Sequence, residues 1–96
     1  MTYSILQLNR EHPNTFMSLR WAEDHGGVNF SDYETVYTGE IAPRATVAET
    51  LEALYVIFNT NHPADYRARS MSVSDLVVLE GTGTYFCDSI GFEQIN

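Results

Sequence analysis

No lysine occurs among the 96 residues, and the five basic side chains are all arginine: Arg10, Arg20, Arg44, Arg67 and Arg69. Against them stand 13 acids, giving a formal net charge of −8. Binding nucleic acid through its phosphates draws on clustered Lys and Arg, so this balance argues against direct nucleic-acid binding. An acidic surface could instead mimic DNA. Yet 13 acids in 96 residues is close to ordinary composition, so the imbalance comes from missing bases rather than added acids. The charge is also spread out. Residues 1–43 carry six acids and two bases, residues 44–96 carry seven and three, and each half is therefore −4.

Other absences narrow the class further. One cysteine, Cys87, excludes an intrachain disulfide and fits a reducing compartment, so a cytoplasmic location is expected. The first ten residues, MTYSILQLNR, lack a basic stretch followed by a long apolar one, and no signal peptide is expected. The longest apolar run is Ala53–Phe58, far short of the roughly 20 residues that span a bilayer. What is present suits a packed core: 44% of residues are hydrophobic and 12% aromatic, in a length that makes one domain, residues 1–96.

The order of elements follows from periodicity and turn chemistry. Thr2–Leu8 reads as a strand, with Leu6 and Leu8 on one face and Tyr3 and Ile5 on the other. After the turn Asn9–Pro13, Asn14 or Thr15 is expected to cap a helix of about ten residues, ending at Asp24 before Gly26-Gly27. Tyr33–Ile41 reads as a strand, with Tyr33, Thr35 and Tyr37 alternating on one face and Pro43 closing it. Thr46-x-x-Glu49 is a capping-box signature, and Val47, Leu51, Leu54, Tyr55 and Phe58 then form one stripe of a second helix. Asn59 to Pro63 should stop that helix near Asn59. Leu76–Leu79 and Thr84–Cys87, joined through Glu80–Gly83, read as a hairpin, with a possible last strand at Phe92–Ile95. The expected fold is α+β. Two helices pack on one face of a mostly antiparallel sheet of four to five strands, with a C-terminal β-hairpin.

The best polar constellation is His62, Asp65, Arg67 and Arg69. A neutral His beside a carboxylate could act as a base, and Arg could hold an anion. The simpler reading is that these groups satisfy loose backbone after a helix end. Ser70, Ser72 and Ser74 alternate before Asp75, which would put three serines on one face. No G-x-S-x-G elbow accompanies them, so a turn network is expected in which Asp65 or Asp75 accepts from backbone amides and Arg67 or Arg69 completes it. Cys87 lies between Phe86 and Asp88 in a strand and reads as a buried small hydrophobe. His12, His25 and His62 lack metal-ligand spacing, and there is no phosphate loop or dinucleotide fingerprint, so no metal or cofactor is expected.

Three segments carry a resemblance. Asn59-x-x-His62-Pro63-x-Asp65-Tyr66 is followed by Ser70-x-Ser72-Val73-Ser74-Asp75, and then by an aromatic strand at Tyr85 that leads into Asp88-Ser89-x-Gly91-Phe92. Together with the Tyr33–Tyr37 strand and the helix around Leu51, this pattern resembles the YodL-like domain, found in proteins of bacterial conjugative elements and related mobile DNA. Ala68 stands where that pattern has Gly, and Cys87 where it has Val. The resemblance implies an intracellular protein of mobile-element origin and supplies no catalytic residue. The function expected is therefore a non-enzymatic interaction domain that engages another protein through the polar segment Asn59–Asp75 and nearby aromatics. Its candidate contact or motif residues are His62, Asp65, Tyr66, Arg67, Arg69, Ser70, Ser72, Ser74, Asp75 and Asp88. The alternatives are a small enzyme using His62 and Asp65 on an anionic substrate, and an acidic DNA mimic of the anti-restriction type.

Overall fold

Alternation of β-forming residues along Thr2–Leu8 makes β1 the strand on which the sheet is built. The computed structural model describes residues 1–96 and contains β1 (Thr2–Leu8), α1 (Leu19–Asp24), β2 (Tyr33–Glu40), α2 (Val47–Thr60), β3 (Leu76–Leu79), β4 (Gly83–Cys87) and β5 (Phe92–Gln94). The five strands form one sheet in the order β2-β1-β3-β4-β5, and every neighbouring pair is antiparallel. The chain is thus an α+β protein with a C-terminal hairpin.

The main core lies between one face of this sheet and α2. Tyr3 and Ile5 from β1, Val77 and Leu79 from β3, and Tyr85 and Cys87 from β4 meet Leu51, Leu54 and Phe58 from α2, all of them buried. Tyr66 and Met71, from the connection after α2, complete the cluster. Leu51, Leu54 and Phe58 follow the three- and four-residue spacing of one helical face. Val47 and Tyr55 sit at the edges of the expected stripe and stay exposed, while Thr50 is buried in it. Thr46 caps α2: its hydroxyl accepts from the Glu49 amide at 3.1 Å and donates to the Glu49 carboxylate at 3.1 Å. The helix runs through the first asparagine to Thr60, because Asn59 and Thr60 turn their side chains back onto the carbonyls of Tyr55 and Val56.

Three local expectations are corrected. The first helix begins at Leu19 with Ser18 as its cap, not at Asn14 or Thr15. Those two residues are buried in a preceding turn, where Thr15 Oγ1 donates to the Asn9 carbonyl at 2.6 Å and the Asn14 amide donates to His12 Nδ1. Short polar side chains thereby satisfy a turn that competes with helix, and Phe16, at φ 68°, ends any helical run there. Secondly, β2 does not alternate simply. Ile5 pairs with Tyr37 but Leu6 pairs with Thr35, so Val36 is an extra residue in the ladder. This bulge turns both Val36 and Tyr37 toward the core. Thirdly, only α2 lies on the main-core face. Ala22 of α1 packs with Leu8, Tyr33 and Phe86, which the strand register places on the other face. Residues 9–32 therefore cover part of the second face.

Candidate functional site: the polar cluster around Asp75

The connection from α2 to β3 has almost no regular structure, so its backbone needs partners from side chains. Asn59 supplies one, donating to the Met71 carbonyl at 3.1 Å. Tyr66 is buried edge-on against Phe58, with ring centroids 4.8 Å apart, and it also meets Tyr37 at 5.7 Å. Its hydroxyl donates to the Arg69 carbonyl at 2.5 Å. The apolar ring is thus anchored in the core while the polar tip fixes the loop.

Asp75 lies at the centre and is completely buried. One carboxylate oxygen accepts from the Ser72 amide at 2.9 Å and from Gln7 Nε2 at 3.0 Å; the other accepts from Arg69 Nη2 at 3.3 Å. Gln7 Nε2 also reaches the Arg69 carbonyl at 3.1 Å. The Arg69 guanidinium is fixed from further sides, since Nη1 donates to the Leu8 carbonyl at 3.1 Å and the group lies over the Phe16 ring, 5.1 Å from its centroid. Burial pushes the Asp75 carboxyl up to about 6, a rise that the Ser72 amide, Gln7 and Arg69 hold in check. Burial, with Asp75 nearby, likewise raises Tyr66 to about 12 and raises Tyr33 further.

The serines are not on one face. Ser70 is exposed, Ser72 half-buried and Ser74 buried, because the segment turns instead of extending. Ser74 has φ 85° and is tied on all sides: its amide donates to the Cys87 carbonyl, its Oγ accepts from the Phe16 amide, and its carbonyl accepts from Tyr33 Oη at 2.6 Å. Asp88 accepts from the Leu19 and Ser89 amides, and so connects α1 to the end of β4. Cys87 is buried, and its thiol is pushed up to about 12 by that burial.

His62 and Asp65 stay apart from this cluster. His62 is exposed, and its Nδ1 donates to the Pro63 carbonyl. Asp65 is exposed and accepts from Tyr37 Oη at 3.0 Å, a bond that raises the Tyr37 phenol. Neither residue lines any of the four concavities of the surface. Arg67 folds back on its own loop, donating from Nη1 to the Ala64 carbonyl. Of the turn network's expected alternatives, Asp75 and Arg69 take the central positions. Gln7, Tyr33 and Phe16 were not legible as members. Gln7 did leave one trace, a polar residue following Tyr3 and Ile5 at the next inward position of β1.

A different kind of surface lies on the far side of α2. A groove of about 380 Å³ runs between α2 and β4–β5. Leu51, Tyr85 and Phe92 form its apolar floor, Val47 and Ile90 its walls, and Glu52 is its one charged lining residue. No three His, Cys, Asp or Glu side chains gather where they could hold a metal ion. No helix is long and apolar enough to cross a membrane. A family model described as YodL-like domain matches residues 2–96. No curated protein and no solved structure matches the chain.

Proposed function

We propose that this chain, which belongs to the YodL-like domain family, is a non-enzymatic protein-interaction domain of a bacterial mobile genetic element. The observation that carries this reading is the gathering of exposed apolar side chains around the α2–β5 groove. Ile90 is 93% exposed and Val47 36%, and both line the groove, while Tyr55, 38% exposed, lines an adjoining concavity with Glu52 and Phe92. Scattered exposed hydrophobics are ordinary, but exposed apolar side chains on both walls of one apolar groove fit a docking surface. Within the Asn59–Asp75 segment, Asn59, Tyr66, Arg69, Ser72, Ser74 and Asp75 are committed to internal bonds and hold the loop in place. Glu52 on the rim, in a chain of net charge −8, favours a partner segment with apolar anchors and flanking basic residues. The mobile-element setting rests on the family resemblance, and the work of such a domain would be done inside the host cell.

Ile90→Asp tests the reading. The side chain is so exposed that the variant should keep its stability within about 0.5 kcal/mol. A partner captured from host lysate by the parent, then purified, should bind the parent directly and lose binding to Ile90→Asp. A purified partner that binds both proteins equally would overturn the groove as the contact surface.

A further inference from the structure

Bases are scarce in this molecule, five against 13 acids, yet three of the five line a single notch. Arg10, Arg67 and Arg69 surround an open concavity of about 510 Å³ beside the end of β1, on the opposite flank of the main core from the α2–β5 groove. Glu34 is its only acidic lining residue, so the local ratio of bases to acids reverses that of the whole chain. The three arginines are not equivalent. Arg69 forms a rigid wall, held by Asp75, the Leu8 carbonyl and the Phe16 ring. Arg10 makes no hydrogen bond or ion pair within the protein, and Arg67 commits only Nη1, to the carbonyls of Ala64 and Tyr66. Asn9 Oδ1 accepts from the Glu11 amide while its Nδ2 donors have no protein partner. Free planar guanidinium donors beside a free amide are the groups that grip an oxyanion, because each fork can give two parallel bonds to a pair of oxygens.

We propose that this notch binds a small molecule through a compact oxyanion, a phosphoryl or carboxylate group held by Arg10, Arg67 and Asn9. The size fits a small ligand, since sites of that kind run to roughly 300–1,000 Å³. A long polyanion is disfavoured, because the chain's charge of −8 repels its remainder once the first group is seated. The notch is separate from the α2–β5 groove and does not depend on it.

Titration with inorganic phosphate and with malonate, at constant ionic strength, tests the site by amide chemical shifts. At least one probe should saturate, with shifts centred on residues 7–10, 34–36 and 67–69; which one saturates identifies the oxyanion. Arg10→Gln and Arg67→Gln should each weaken binding about tenfold, the usual scale for one charge-assisted bond. Glu34→Gln should tighten it by removing the one like-charged lining group. Arg20→Gln, remote from the notch, should leave it unchanged. Arg10 and Arg67 are exposed, so a native amide spectrum for each variant separates lost binding from lost fold. Failure of both probes to saturate would overturn the proposal. So would equal affinity in the parent and an Arg10→Gln/Arg67→Gln double variant, or equal weakening by Arg20→Gln.

Discussion

Asp75 shows how one buried charge can organise a loop and still oppose folding. Its carboxylate is fully buried and meets three donors, from Ser72, Gln7 and Arg69. Asp75→Ala removes the acceptor and strands all three donors, and should cost about 3 kcal/mol in a denaturant titration. Its titration gives a second, independent sign. The folded carboxyl titrates near 6, above its ordinary 3.8. Between those values the folded state binds more protons than the unfolded one, so stability falls as pH rises through the window and is flat above it. The stability of the parent relative to Asp75→Asn should therefore drop by about 2 kcal/mol between pH 4 and pH 7, at 1.36 kcal/mol per pKa unit. A rise over that window would mean that the donors outweigh burial. Cys87, by contrast, is inert packing. Its buried thiol, raised to about 12, should react slowly with a thiol reagent in the native protein, and Cys87→Val should fold normally.

At the scale of elements, α2 is secured from its first residue. Thr46→Ala deletes the acceptor of the Glu49 amide and should cost about 1 kcal/mol, as loss of a helix cap does. β2 is secured by contact across the sheet. Gly39 pairs with Tyr3, and a Cβ added at Gly39 would stand 2.7 Å from the Tyr3 hydroxyl oxygen and 2.9 Å from its Cζ. Tyr3 is only 5% exposed and packs against both Tyr37 and Phe58, so its ring cannot swing clear without disturbing the core. Gly39→Ala should cost about 1–3 kcal/mol, the usual penalty for overpacking, read as a lowered thermal midpoint. An unchanged midpoint would mean that the β1–β2 ladder yields at its bulge.

For the molecule as a whole, charge is a burden with little internal relief. Of five arginines only Arg69 lies within 4 Å of a carboxylate, so most of the excess of eight negative charges is uncompensated. Salt should screen this self-repulsion more than it weakens any ion pair, because the Debye length falls from about 10 Å at 0.1 M to about 3 Å at 1 M. The thermal midpoint should accordingly rise with sodium chloride concentration. The same distribution makes the Arg10–Arg67–Arg69 notch the surface's main concentration of positive charge.

The sequence by itself determined what depends on near neighbours. The strand limits of β1, the Thr46–Glu49 cap, the central stripe of α2 and the β3–β4 hairpin all follow from periodicity, capping chemistry and a Gly-containing loop, which act within a few residues. The α+β class followed from their order. The tertiary structure decided what depends on distant partners. Asn14 and Thr15 carry good capping side chains, but they are drawn into a turn closed by Asn9 and His12, and the helix starts later. The bulge at Val36 exists because two strands 30 residues apart must match registers. The polar cluster joins Gln7 to residues some 60 positions away, and no local pattern marks which of Asp65 and Asp75, or of Arg67 and Arg69, will be enclosed. That choice is made by burial: Asp75 immediately precedes β3, which pairs with β1, and there desolvation demands partners, whereas Asp65 sits on an exposed turn where water serves as well.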